Sequence, residues 1–205
     1  EAIGLITEED VIKFVANQTS ERNEAKKGLN FLLLRRQWLT SKVFTIHKIK
    51  ILTLITFWLA QEHETEDADR GVRLLLRLNI AEINNLFIPY IKGEKKMSLR
   101  HSDRSIFPYI NLRYIMLLKF AENGDESVLE TCEKLLLKKN SPVEKSILEI
   151  AQALLTGDLT RIEKKDFDHQ ILSLTCARIL LAKRYPSVKS YDVLVAGTEH
   201  AYADV

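Results

Sequence analysis

The chain has few of the residues that turn or staple a protein. Among 205 residues there are 7 glycines, 4 prolines and 2 cysteines. Sandwiches and barrels built from short strands need many more turn residues, so the scarcity favours long helices with short connections. Cys132 and Cys176 stand in helical patterns among apolar neighbours and form no C-x-x-C. Neither a zinc site nor a disulfide framework is indicated, and two buried thiols fit a reducing compartment. An excess of one charge is also lacking. Lysine and arginine total 30 against 28 aspartates and glutamates, a net charge of +2. That balance argues by itself neither for nucleic acid nor for a membrane. The most apolar stretch, 43–60, is interrupted by His47, Lys48 and Lys50, which leaves no uncharged run long enough to span a bilayer. The first residues show no signal-peptide pattern. Because the chain opens on Glu1 and not on methionine, that absence says little.

Chemical motifs are missing as well. No H-E-x-x-H, E-x-x-H, G-x-S-x-G or phosphate-cradling glycine loop occurs. The reading is of a protein that is not an enzyme, with no catalytic residue, metal or cofactor. The histidines have simple readings. His47 lies on an apolar face and is expected to be a core residue packed against Phe44, Ile51 and Trp58. His63 among carboxylates could ligate a metal but reads as part of a solvated acidic loop. Asp166 and His169 could share a helix face, yet a helix cap at Asp166 or Asp168 explains the acid more simply.

What is present is helical periodicity and punctuation. Thr7 before Glu8, Glu9 and Asp10 reads as a cap with an acidic first turn, and Ser20 can cap a helix through Phe31 and Leu34 towards Trp38. A third helix, from about 43 to 63, groups Phe44, His47, Ile51, Leu54, Ile55 and Trp58 on one face and Thr45, Lys48, Thr53 and Thr56 opposite. A fourth, of about 25 residues, carries Val72, Leu75, Leu76, Ile83, Phe87 and Tyr90 and ends at Gly93. Glu66 to Arg70 and Asp69 to Arg73 are favourable i,i+4 pairs on it. Pro108 is expected to open a fifth helix. Gly124-Asp125 and Gly157-Asp158 are stop-and-cap devices. Ser141-Pro142-Val143-Glu144 combines cap, N1 proline and capping box. Pro186 ends the long helix through Leu172, Cys176 and Ile179, and 188–205 is left unassigned. The fold expected is all-α: one domain over 1–205, of about eight to nine helices in stacked antiparallel hairpins. The two Gly-Asp junctions stand close to one period of tetratricopeptide-like repeats. The exception to helix is 94–106, where Met97 and Leu99 alternate with Ser98 and Arg100, as in a short strand or hairpin.

Two charged segments are the candidate partner-binding residues. One is acidic: Glu62, Glu64, Glu66, Asp67 and Asp69. The other is basic: Lys95, Lys96, Arg100 and Arg104, within 92–104. The basic segment lacks the interleaved aromatics of single-strand binders, so nucleic acid is disfavoured and an acidic protein surface fits at least as well. The segments bracket one expected helix and so are expected about 35 Å apart at 1.5 Å per residue. A partner would then touch one or the other.

From Asp69 to about Asp192 the chain resembles a known family. The order is "ADRGVRLLLRLNIAEINNLFIPYIKG", a polar segment, "YINLRYIMLLKFAENGDESVLETCEKL", "VEKSILEIAQALLTGD" and "QILSLTCARILLAKRY". This looks like the Imm49-type immunity proteins of bacterial polymorphic toxin systems, with Asn111, Tyr114, Leu117, Leu118, Asn123, Asp125 and Leu129 in the places of the family pattern. The aromatic after Asn111 is displaced to Tyr114. The resemblance covers about half the chain and rests on helical pattern. It implies a helical protein that binds and neutralises a cognate toxin in the cytoplasm of the producing cell. The alternative is a tetratricopeptide-like scaffold for a peptide or protein. An enzyme or nucleic-acid binder on a helical bundle ranks below both.

Overall fold

The computed structural model describes residues 42–100, 111–158, 172–187, 190–191 and 194–195. The expected caps at Thr7 and Ser20, the helix towards Trp38, Pro108, Arg104 and the Asp166–His169 pair lie outside the described residues. Of those described, 75% are helical. Seven α-helices occur among them, fewer than the eight to nine expected, together with a small parallel sheet that makes the fold other than purely helical. The chain forms two compact units, 1–107 and 108–205.

In the first unit the order is α1 (Lys42–Leu59), β1 (Glu62–Glu64), α2 (Thr65–Arg77), α3 (Ala81–Lys92) and β2 (Ser98–Arg100). The expected face of α1 is the buried one: Phe44, Ile51, Leu54, Ile55 and Trp58 are inside, while Thr45, Thr53 and Thr56 are outside. His47 departs from the expectation. It is half-buried, it sits at a kink (φ −110°, ψ 19°), and its Nε2 is buried with no hydrogen-bond partner among the described residues. The expected 25-residue helix is two helices. Asn79 takes a left-handed φ of +50° and Ile80 is extended, which breaks the chain between α2 and α3. Asparagine is among the few side chains that tolerate this region. Asn84 Nδ2 donates to Asn79 Oδ1 at 3.2 Å across the break. Val72, Leu75, Leu76, Ile83 and Phe87 are buried as the periodicity requires. The left-handed Gly93 (φ 82°) ends α3, and Glu94 N–H returns to Pro89 O at 2.9 Å.

The second unit contains α4 (Leu112–Glu122), a 3₁₀ turn (Glu126–Val128), α5 (Leu129–Leu136), α6 (Pro142–Thr156) and α7 (Leu172–Arg184). α6 is the hub and packs on α4, α5 and α7. Its row of Ile147, Ile150 and Leu154 is buried, with Val143 partly so. The punctuation here works locally. Asn111 caps α4 by accepting from Arg113 N–H at 3.0 Å. Asp125 accepts from Ser127 N–H at 3.0 Å. Ser141 and Glu144 form the full capping box. Gly157 closes α6 at φ 77°, with Tyr185 packed where a side chain would stand. Beside it Arg184 reaches the carbonyls of Leu154 (3.2 Å) and Glu122 (2.6 Å), which tops the last turns of α6 and α4. Cys132 is buried and donates to Leu148 O at 3.3 Å, whereas Cys176 is only partly buried.

Candidate partner-binding surface

The site is assembled from the end of α1 outward. Trp58 is 2% exposed. α2 lies so close to it that a Cβ on Gly71 would stand 2.4 Å from Trp58 Cζ2, so only glycine admits this approach. The chain leaving α1 turns back over the same indole. His63 stacks on Trp58 at a centroid distance of 4.5 Å and its Nε2 donates to Trp58 O at 2.6 Å. At 1% exposure His63 is a core residue, not a member of a solvated loop. Tyr90 O–H, from α3, reaches Leu59 O at 3.5 Å, and burial pushes its phenol up from the usual value.

A buried His63 fixes the facing of its neighbours, because side chains alternate along a strand. Glu62 and Glu64 point outward on β1. β2 runs parallel to β1 in the register Glu62 to Ser98, His63 to Leu99 and Glu64 to Arg100. Leu99 is partly covered, while Ser98 and Arg100 are exposed. Arg100 Nη2 bridges to Glu62 Oε2 at 2.5 Å, and Thr65 O–H donates to Arg100 O at 3.3 Å. The outward face is therefore mixed: two carboxylates and a guanidinium held on one short sheet.

This overturns the expected separation of the two charged segments. Because the chain breaks at Asn79 and returns, the acidic and basic segments are paired strand to strand and are not at opposite ends of one helix. Glu62, Glu64 and Arg100 are brought together. Glu66 and Asp67 are exposed in the first turn of α2, and Lys95 and Lys96 are exposed in the turn leading into β2. Asp69 is occupied within its own helix, where it accepts from Arg73 Nε at 2.8 Å, as the i,i+4 spacing predicts. Arg104 lies outside the described residues. Sequence reasoning missed the role of His63, although the triplet Glu-His-Glu already has the period of a strand. Among the described residues no group of three His, Cys, Asp or Glu is placed to hold a metal ion. Nor is any helix there long and apolar enough to cross a membrane.

Such a surface carries groups for recognition. Its carboxylates accept from cationic or amide donors, and its guanidinium offers planar, paired donors to a carboxylate. No family model, curated protein or solved structure matches the chain.

Proposed function

We propose that the protein acts by binding another protein, without chemistry of its own, and that the partner is a cognate bacterial toxin which it neutralises in the cytoplasm. The observation that carries the binding half is the register of β1 on β2, which sets Glu62 and Glu64 beside Arg100 on an outward face. Charges on a short sheet that is pinned through His63 lose less freedom on association than charges on a loose loop. Fields of both signs steer encounter and fix orientation more than they add affinity. A toxin with a basic cleft would meet Glu62, Glu64, Glu66 and Asp67, with Arg100, Lys95 and Lys96 rejecting the wrong register. The toxin half rests on the resemblance of 69–192 described above.

A second reading draws on the other unit. There α6 packs on α4, α5 and α7, as the first helix of a repeat packs on both helices before it and on its own mate. That arrangement favours a helical-repeat scaffold for a peptide.

The deciding experiment is capture from the native host with the parent chain and with Glu62→Lys/Glu64→Lys. The captured protein is then expressed alone and together with this chain. Toxicity that the parent suppresses and the double variant does not supports the proposal. A captured protein that is harmless alone removes the toxin reading. Equal capture by parent and variant removes the surface.

A further inference from the structure

The chain contains one Asn-Gly pair, Asn123-Gly124, at the end of α4. Glycine leaves its own nitrogen unshielded, so an asparagine before it is the one most open to attack by the main chain. The step balances with water alone. The Gly124 nitrogen loses its proton and bonds to Cγ of Asn123, the Cγ–Nδ2 bond breaks, and ammonia leaves with that proton. A five-membered succinimide results, and water opens it at either carbonyl to give aspartate or isoaspartate. Gly124 is exposed, with nothing within 4 Å of the place of a side chain, so water and base reach the pair.

The folded backbone holds the step off. Ring closure needs the Gly124 nitrogen eclipsed on Cβ of Asn123, and at ψ −8° it is eclipsed on the Asn123 nitrogen instead. The same Gly124 N–H donates to Ala121 O at 3.0 Å, and Asp125 N–H returns to Phe120 O at 3.0 Å, so a rotation of that ψ breaks the whole cap. Arg184 locks the cap from α7. Its Nη1 reaches Ala121 O at 3.5 Å, the carbonyl that takes the Gly124 N–H, and its Nη2 donates to Glu122 O at 2.6 Å. We propose that Asn123-Gly124 is a self-modification site that stays shut while the end of α4 is capped and converts only when that end opens. Conversion is one-way. Isoaspartate lengthens the main chain by one carbon, which the two cap hydrogen bonds cannot both span. Its new carboxylate stands at the negative end of α4, close in sequence to Glu122, Asp125 and Glu126. The second unit thereby keeps a chemical record of its openings, and the inference needs no partner.

The test uses the full chain in mildly alkaline buffer, folded and in guanidinium chloride. Peptide mapping by mass spectrometry reads the loss of the amide at Asn123, and enzymatic methylation of isoaspartate separates the two products. The folded rate is the intrinsic rate multiplied by the fraction open, so it should be on the order of a hundredfold below the rate in denaturant. Arg184→Met, checked for parent-like helicity, should raise the folded rate about tenfold or more. Ser141→Ala weakens the same unit at the start of α6 and should leave the rate within about twofold of the parent. No conversion at Asn123 in denaturant removes the site. A folded rate equal to the denatured one removes the lock, and this comparison in the parent decides even if Arg184→Met does not fold. A folded Arg184→Met as slow as the parent, or a rise as large in Ser141→Ala, shows that the end of α4 does not gate the step and overturns the proposal too.

Discussion

The two units begin their helices by different means, although each ends one at a left-handed glycine, Gly93 and Gly157. In the second unit Asn111 and Ser141 cap the starts of α4 and α6, Asp125 caps the 3₁₀ turn that leads into α5, and Gly157 ends α6. In the first unit α2 and α3 begin at Glu64 and Ile80 with no side-chain cap at all. They are held from a distance, by the fit of Gly71 on Trp58, the imidazole of His63, the Tyr90 hydroxyl, and an ion pair of Lys48 with Glu82 that lowers the Glu82 carboxyl below its usual range. Local caps are each worth about 1 kcal/mol and fail singly. A set of interlocked distant contacts fails together, because its members lean on one another.

The largest test of this difference is Gly71→Ala. The added carbon meets a fully packed indole, and the cost should be about 3 kcal/mol or more in urea unfolding. Adding Trp58→Phe should recover part of the loss, since the six-membered outer ring is what the methyl strikes. A change within about 0.5 kcal/mol, the range of an ordinary surface substitution, would show that the first unit does not depend on that contact.

Next in size is Arg184→Met. The backbone oxygens of Glu122 and Leu154 lose a charged donor. About 2 kcal/mol is expected, typical of hydrogen bonds to charged groups. If Arg184→Lys restores it fully, the planar fork is not what matters and point charge suffices.

A third test is alkaline. Burial pushes the Cys132 thiol from 9.0 up to about 12. The unfolded chain therefore releases this proton first. Stability is at its full value below pH 9 and falls as pH rises from 9 towards 12, because the folded state then binds more protons than the unfolded one. Cys132→Val should flatten that decline, and the parent thiol should resist iodoacetamide at pH 8 while folded. Rapid alkylation in the native state would show that the thiol is not closed off.

The smallest effect expected is that of Ser141→Ala. It removes one half of the capping box, and the loss should be about 1 kcal/mol, with α6 otherwise intact by hydrogen exchange. A loss as large as that from Gly71→Ala would erase the distinction between the units.

The same contrast decides what could be read from the chain. The stop at Gly157, the capping box and the buried row of α6 are encoded within a few residues, so periodicity and punctuation reveal them. Asn79 is also a local signal, a residue suited to left-handed backbone, but it stands in the middle of an unbroken apolar stripe and the stripe reads as one helix. With that break missed, the distance between the charged segments came out long when they are neighbours. The pairing of Glu62–Glu64 with Ser98–Arg100 is non-local, and no short-range pattern states which strand is a partner. His47 and His63 exchange their expected places for a related reason. Helical spacing counts His47 as inward, but the kink at His47 itself turns it partly out, while His63 is drawn inward by a strand that sequence reading assigned to a loop.

The parallel pairing of β1 with β2 joins residues on either side of the α2–α3 hairpin. The mixed face is therefore a discontinuous epitope. Neither 62–64 nor 98–100 carries it as a linear peptide, and a fragment ending before β2 would keep every carboxylate yet lose the guanidinium that organises them. An antibody raised against the folded chain at this face should fail on a denaturing blot. A competitor of the face will have to be selected against the intact protein, since its shape exists only when the chain has closed upon itself.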